Sequence, residues 1–374
     1  MGTRVSLPGR AQPVDIPDPP WAAQYPPPVS RRVFAAAHVA AFPDGSIDWE
    51  ATLGFREYLW AHGFAVAEAM DTAQRGTGLP WPAARELTRR SADLAARLGR
   101  VIASGAGTDQ LPPGPHPLPA ILDAYQEQLL VVQETGAQVI LMASRALAAS
   151  ARSPRDYLDL YGQVLGLVEH PVILHWLGAD FDPALRGYWG AADFTAAADT
   201  VIELIERADG RIAGIKMSLL DASAEVALRR RLPAGVRLYT GDDFHYAELI
   251  RGNADGHSDA FLGAFAAITA PAAAALHALD AGDLAGYDAA MGPTTELSRT
   301  IFEPPTSSYK VGVAFLAWLN GLQPHFAMLD GLQARRPAAH LVRVFELAAA
   351  ARVLRSPALA AERMDAYLAS AGRP

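Results

Sequence analysis

RIAGIKMS (residues 211–218) and VRLYTGDD (residues 236–243) are the two stretches that decide how this chain is expected to fold. Each has the length and the apolar character of a buried β-strand, and the connection between them has room for one helix. The first stretch carries Lys216 near its end, and the second closes on Gly241, Asp242 and Asp243. Polar residues at the ends of successive strands are typical of a barrel with its site at that mouth. A partly desolvated amine there loses its proton more easily and attacks carbonyl carbons.

The same alternation of strand and helix runs through most of the chain. The predicted strands are residues 33–40, 64–69, 100–104, 138–143, 171–175, 213–216, 236–240 and 252–257. Eight strand–helix units in succession predict an α/β fold, a closed parallel (β/α)8 barrel of the TIM type. A doubly wound open sheet is disfavoured, because no GxGxxG opens a helix after the first strand.

Two further segments flank the predicted barrel, which spans residues 32–280. Residues 1–31 are rich in proline and predict an extended N-terminal arm without a core of its own. Residues 259–279 show helical spacing and would complete the eighth unit. Residues 281–374 continue as amphipathic helices, which predicts a C-terminal helical layer packed on the barrel.

Composition excludes several classes of protein and of site. A chain of 374 residues fits one large globular domain, and its net charge of −8 argues against nucleic acid as a partner, since phosphate binding needs a basic face. The absence of cysteine excludes disulfides and thiolate chemistry. The N-terminus lacks the apolar core of a secretory signal, and no apolar run is long enough to span a membrane. We therefore expect a cytoplasmic protein without a nucleic-acid or membrane partner.

Five short motifs resemble those of the dihydrodipicolinate synthase and N-acetylneuraminate lyase superfamily. They are GIK at 214–216, GDD at 241–243, FPDGSID at 42–48, VIASGAG at 101–107 and PVIL at 171–174. Their order and spacing follow that superfamily over roughly residues 33–330. The resemblance implies a barrel whose Lys216 forms a Schiff base, and a homo-oligomer, either a dimer or a tetramer.

The sequence also departs from the superfamily pattern, as an outlying subgroup would. His175 stands where the fifth strand of that superfamily ends in a proton-carrying tyrosine. Its GTTGE motif falls near MDTAQ at 70–74, so Asp71 places a negative charge where a pyruvate carboxylate would bind. Its aromatic pair after the fourth strand falls near SRAL at 144–147. These differences disfavour pyruvate as the donor.

The predicted function is that of a class I lyase or aldolase, or a related dehydratase. Its substrate would be a small oxo acid or a sugar-derived carbonyl compound. Lys216 would form the imine, which serves as the electron sink and removes the need for a cofactor. His175 titrates in the right range to carry protons, although a structural role at the barrel rim is the alternative.

Five further residues are candidates for contacts with the substrate. Asp71 and Thr72 would bind substrate oxygens, and Asp242 or Asp243 would position the lysine or a hydroxyl group. Capping of the next helix is the alternative for Asp243. Arg145 would bind an acidic group, since guanidinium matches the geometry of carboxylate or phosphate.

Two other functions remain open from the residues alone. The first is a metal-dependent isomerase or aldolase, in which a divalent ion binds at the strand ends. Its candidate ligands are His38, Glu68, His175, Asp243 and His257. The second is a sensor that keeps the barrel and has lost the chemistry.

Overall fold

The eight-stranded barrel is the central feature of the computed structural model, which describes residues 3–371. The strands are β1 Thr3–Val5, β2 Val14–Ile16, β3 Val33–Ala36, β4 Ala65–Glu68, β5 Ile102–Ala106, β6 Gln138–Leu141, β7 Val172–Leu177, β8 Ile212–Ser218, β9 Arg237–Thr240 and β10 Asp259–Leu262. Strands β3 to β10 close a parallel barrel in the order β10-β3-β4-β5-β6-β7-β8-β9. The predicted (β/α)8 barrel is confirmed.

Helices follow the barrel strands and continue beyond the last strand. They are α1 Trp49–Ala61, α2 Trp81–Leu98, α3 Leu118–Glu134, α4 Arg145–Ser150, α5 Pro154–Gly166, α6 Phe194–Arg207, α7 Ala222–Arg229, α8 Tyr246–Arg251, α9 Ala264–Ala267, α10 Thr269–Asp280, α11 Leu284–Met291, α12 Thr294–Ile301, α13 Tyr309–Leu319, α14 Ala338–Ala350 and α15 Pro357–Ser370. Side-chain caps begin several of them: the carboxylate of Asp48 accepts from Ala51 N at 3.0 Å, and that of Asp193 from Ala196 N at 3.0 Å. Within residues 3–371, no helix is long and apolar enough to cross a membrane.

The barrel strands are buried on both faces. All six residues of β7 and six of the seven residues of β8 are buried. Helices cover the outside of a (β/α)8 barrel and side chains fill its interior, so its strands read as nearly continuous apolar runs. This is why seven of the eight predicted strands overlap the observed ones.

The eighth strand was placed wrongly by sequence reasoning. Residues 252–257 form a turn in which Gly252 and Gly256 have φ of +73° and +109°, values that a strand does not adopt. The observed strand, β10, begins at Asp259, whose carboxylate accepts from Arg237 Nη1 of β9 at 2.7 Å. The segment predicted as one helix over 259–279 therefore divides into β10, α9 and most of α10.

The chain divides into two compact units. One comprises residues 65–262, and it contains β4 to β10 and helices α2 to α8. The other joins the residues up to 64 with those from 263 onwards. Within the latter, the proline-rich N-terminal segment includes the β1–β2 hairpin and contacts C-terminal helices, for example through Arg10 Nε and Glu346 Oε1 at 2.6 Å. The division at residues 31 and 280 stays a prediction.

Gly214, two residues before Lys216, is expected to tolerate no side chain. A Cβ at this position would lie 2.7 Å from the Tyr239 ring and 2.8 Å from Arg237 O. Gly214→Ala should lower the free energy of unfolding by about 1–3 kcal/mol, the usual cost of overpacking a core. Denaturant unfolding monitored by circular dichroism measures this change.

Gly162→Ala is the matched control for that substitution. Gly162 is exposed on α5, and a Cβ there would meet no atom within 4 Å. This variant should gain about 0.5–1 kcal/mol, because alanine restricts the unfolded chain and favours helix. Equal effects of the two substitutions would contradict the packing described at Gly214.

Candidate active site

Lys216 extends into the interior of the barrel. It is the fifth residue of β8 and pairs in register with His175 of β7 and Tyr239 of β9. Its Nζ lies 4.4 Å from the ring centroid of Phe261 on β10. Because β9 separates β8 from β10, this contact runs across the inside of the barrel, where side chains converge. The residue is only 7% exposed, so the amine is held on an aromatic face away from bulk water.

Burial and nearby charge act in opposite directions on this amine. Desolvation lowers the pKa of Lys216 from its usual 10.5, and the negative charges of Asp71 and Asp243 oppose that shift. The net direction is downward. The neutral, nucleophilic form of the amine is therefore more accessible than in an exposed lysine.

Gly241, the glycine of the GDD stretch, provides the space for the lysine side chain. A Cβ at this position would come closest to Ser218 Oγ, and it would lie 2.8 Å from Lys216 Cε and 2.9 Å from Met217 O. Real Cβ atoms do not approach so closely. The glycine therefore leaves room for the side chains of both Ser218 and Lys216, and it is not required by a turn.

His175 is buried beside Lys216. Its Nε2 lies 3.5 Å from Ser218 Oγ, and among the described residues its Nδ1 has no hydrogen-bond partner. Burial lowers the pKa of His175 well below 6.5, and the charge of Lys216 lowers it further. The ring is therefore neutral while Lys216 is charged, so the expectation that His175 titrates in the usual range of a proton carrier is wrong for that state. Its Nδ1 is itself buried.

The two acids of the GDD stretch have different surroundings. Asp242 accepts from Phe244 N at 2.8 Å, from His245 N at 3.0 Å and from His245 Nδ1 at 2.8 Å, so it organises the turn that leads into α8. Asp243 is 3% exposed and acts electrostatically on Lys216. Of the two predicted candidates, Asp243 is the acid near the amine.

A cavity of about 570 Å³ opens beside this group. Its lining comes from the end of β7 and from the segments that follow β4, β5, β6 and β7, which is the carboxyl-terminal end of the barrel. Asp71 and His175 belong to the lining, whereas Lys216, Thr72, Asp242 and Asp243 do not. Asp71 and His175 both act electrostatically with Lys216, so they connect the cavity to the amine. Enzymes of this fold build their sites at this end.

Arg75 is a cavity residue that sequence reasoning missed. Its Nε donates to Asp109 Oδ2 at 2.9 Å, and its Nη2 donates to Asp109 Oδ1 and, at 2.7 Å, to Gln128 Oε1. Its Nη1 donates to Ala69 O at 3.1 Å and to Gly105 O at 3.3 Å. All N–H groups of the guanidinium are thereby used. Arg75 joins the segments that follow β4 and β5 and is a structural cation.

Arg145 lies at the same cavity in a more open position. It begins α4, its side chain is 44% exposed, and its Nε donates to Asp182 Oδ2. The residue was predicted to bind an acidic group, and the structure places it on the lining of the cavity. Its ion pair can exchange with a ligand at less cost than that of Arg75, because it remains hydrated.

A chain of hydroxyl groups also reaches this cavity. Thr108 lines it, and its Oγ1 lies 2.6 Å from Ser144 Oγ. Ser144 N donates to Tyr188 OH at 2.9 Å, and Tyr161 OH lies 2.9 Å from Tyr188 OH and 3.4 Å from Tyr125 OH. Burial raises the pKa of all three tyrosines well above 10, so they stay protonated. These residues come from separate segments of the chain, so no local sequence motif predicts their contacts.

The candidate metal ligands have other surroundings. His38 Nε2 lies 2.6 Å from Gln323 Oε1, and burial lowers the pKa of His38 to about 4. Glu68 Oε1 accepts from Ala69 N at 2.8 Å. The expected place of His257 at the end of a strand is wrong, because β10 begins after it, at Asp259, and His257 lies exposed before the strand. Among residues 3–371, no group of three or more His, Asp or Glu side chains is arranged to hold an ion.

The two arginine–aspartate pairs at the cavity are expected to differ in their contributions to stability. The side chains of Arg75 and Asp109 are 1% and 15% exposed, and those of Arg145 and Asp182 are 44% and 14% exposed. Arg75→Met should lower the free energy of unfolding by about 3–5 kcal/mol, because it leaves Asp109 without its buried partner. Arg145→Met should cost about 1 kcal/mol or less. Denaturant titration of both variants tests this, and similar losses would contradict the division of roles.

Solved structures with the same fold are dihydrodipicolinate synthases and their relatives. YagE, a prophage protein of the dihydrodipicolinic acid synthase family from E. coli K12 solved with pyruvate, has 15% identity and a TM-score of 0.67, with 86% of this chain and 99% of that chain covered. The Acinetobacter baumannii synthase, complexed with pyruvate, has 17% identity and a TM-score of 0.64, covering 87% and 100%. The Aquifex aeolicus synthase has 17% identity and a TM-score of 0.60, covering 78% and 89%. The predicted resemblance to this superfamily is confirmed at the level of fold.

Comparison of the sequence with known protein families identifies the family of this chain. No curated protein sequence matches the chain. The family described as "Protein of unknown function (DUF993)" matches residues 9–373, nearly the whole length. The chain belongs to that DUF993 family, which here has the fold of the dihydrodipicolinate synthases.

Proposed function

We propose that this protein is a class I, Schiff-base-forming lyase or aldolase, or a related dehydratase, that acts on a small carbonyl compound. The observation that carries the proposal is the buried amine of Lys216, beside a cavity at the carboxyl-terminal end of the barrel. Burial lowers the pKa of this amine, which favours its nucleophilic form. The solved relatives that contain pyruvate support carbonyl chemistry in this fold.

The scarcity of lysine supports the same conclusion. The chain contains 30 arginines but only two lysines, Lys216 and Lys310. Arginine does not lose its proton in proteins, so a side-chain amine nucleophile has to be a lysine. Lys310 Nζ donates to Ser307 O at 3.2 Å and lies 5.2 Å from the Tyr309 ring centroid, which gives it a structural role.

The proposed chemistry starts with attack of the neutral Lys216 amine on the substrate carbonyl. The carbinolamine then loses water to give an iminium, which draws electrons from the adjacent carbon and permits bond cleavage, condensation or dehydration. We assign proton transfer to Asp71, which lines the cavity and acts on the amine, and to His175, which becomes a stronger base once Lys216 is neutral and no longer lowers its pKa. Asp243 would stabilise the iminium charge. No organic cofactor is needed, and a homodimer or homotetramer in the cytoplasm stays a prediction.

Borohydride trapping of the imine is the direct test of this function. Intact protein would be incubated with a panel of hydroxy ketones, hydroxy aldehydes and 2-oxo acids, reduced, and weighed by mass spectrometry. A mass gain is expected in the wild-type chain and in Lys310→Arg, and none is expected in Lys216→Arg. Lys216 and Lys310 are the only two lysines, so the control pair distinguishes their side chains, and peptide mapping separates both from the N-terminal α-amine. A lysine adduct that persists in Lys216→Arg, or no adduct at Lys216 in the wild type, would sink the proposal.

The rate of adduct formation is expected to rise with pH, and the midpoint of this rise should lie below the usual pKa of a lysine. Only the neutral amine attacks, so the rate rises as pH passes the pKa of Lys216, which lies below the usual 10.5. Asp71 raises this pKa, so Asp71→Asn should move the midpoint to lower pH. Initial trapping rates between pH 6 and 11 measure it, and a midpoint that moves upward in Asp71→Asn would contradict the assignment.

A further inference from the structure

The charged groups that raise the pKa of the Lys216 amine against its burial are two carboxylates. Asp71 and Asp243 both act on it, whereas His175 is neutral because burial and Lys216 lower its pKa. Any group attached to the carbon that becomes the iminium carbon will lie in this neighbourhood. A carboxylate there would meet two acids, with only the lysine itself as an opposite charge.

The two arginines that line the cavity do not neutralise the negative charge near Lys216. Arg75 uses all its N–H groups on Asp109, Gln128 and two backbone carbonyls. Arg145 is paired with Asp182 and is half-exposed on another part of the lining, after β6. The lining therefore has two arginines, each matched by an aspartate, and Asp71 adds a further negative charge.

Asp71 has the properties of a hydroxyl acceptor. It follows β4 on a 3-10 turn, is half-buried and lines the cavity. Among the described residues, no group donates a hydrogen bond to its carboxylate. Its charge acts electrostatically on Lys216. A carboxylate accepts strongly from a hydroxyl group. A hydroxyl on the carbon next to the carbonyl would satisfy it, while a second carboxylate would be repelled.

The rest of the cavity suits a polar, uncharged compound of sugar size. Its volume of about 570 Å³ is well above what a three-carbon compound fills. The hydroxyl of Thr108 lies on the lining and is supported by Ser144. These groups exchange hydrogen bonds with hydroxyls in either direction.

We propose that the substrate of this site is an uncharged hydroxy ketone or hydroxy aldehyde, such as a polyhydroxylated carbonyl compound, and that Asp71 excludes 2-oxo acids. The inference rests on the proposed imine function and narrows it to one substrate class. In this proposal, the carboxylate of Asp71 contacts the substrate next to the reacting carbon and determines which carbonyl compounds are accepted.

Hydroxyacetone and pyruvate form a matched pair of probes. Both have three carbons and a methyl ketone, and they differ only in a hydroxymethyl group against a carboxylate. The rate of borohydride-trapped adduct formation at Lys216 would be measured with each, relative to the same reaction with free Nα-acetyl-lysine. This normalisation removes the difference in intrinsic electrophilicity between the two ketones.

The wild-type chain should prefer hydroxyacetone by at least about tenfold after normalisation, since like charges held close together in a cavity repel strongly. Asp71→Asn should shift this ratio towards pyruvate by about tenfold or more. Asp180→Asn, the same change at an exposed residue that does not line the cavity, should leave the ratio unchanged.

A normalised preference for pyruvate in the wild-type chain, or a ratio that Asp71→Asn leaves unchanged, would overturn the inference while leaving the imine function intact. Absence of any adduct at Lys216 with either ketone would overturn both. If Asp71→Asn does not fold, the wild-type ratio alone decides, since the inference requires it to favour hydroxyacetone.

Discussion

The burial of the Lys216 ammonium group is the constraint on which the geometry of the candidate site depends. Removing the Lys216 amine from water is unfavourable, and the structure opposes that cost with an aromatic face, Phe261, and two carboxylates, Asp71 and Asp243. The position also constrains its neighbours, because a side chain at Gly241 would collide with Lys216 Cε and Ser218 Oγ. In the proposed function, an amine held in this way favours reaction with carbonyl groups, and the proposed role of Asp71 limits the charge that a substrate can carry.

Hydrogen bonds of Arg75 connect two of the segments that line the cavity. Arg75 ties the segment after β4 to the segment after β5, and Gln128 of α3 completes that connection. Chains with such buried, fully hydrogen-bonded cations lose much stability when the cation is removed, so this arginine is unsuited to exchange with a ligand. Arg145 and the Thr108–Ser144 hydroxyl pair are the more adaptable parts of the lining. The division separates groups that maintain the site from groups that can recognise a substrate.

The fold could be predicted from the sequence because barrel strands are buried on both faces and read as apolar runs, and because Lys216 lies in one of them. The exception was the last strand: residues 252–257 (GNADGH) contain one apolar side chain, and their two glycines with positive φ form a turn before β10. The site was only partly predictable. Lys216, His175 and Asp71 stand in short motifs, whereas Arg75 and the buried tyrosines owe their positions to partners that are distant along the chain. Such contacts depend on tertiary packing, which local patterns do not contain.

Nuclear magnetic resonance of the chain labelled with 13C at lysine Cε tests the central claim most directly. The spectrum should contain two lysine resonances, for Lys216 and Lys310, with the former identified by its loss in Lys216→Arg. Addition of hydroxyacetone is expected to move the Lys216 resonance to the position of an iminium-bound carbon and to leave that of Lys310 in place. A Lys216 resonance that stays unchanged at saturating hydroxyacetone, or a shift confined to Lys310, would contradict the account.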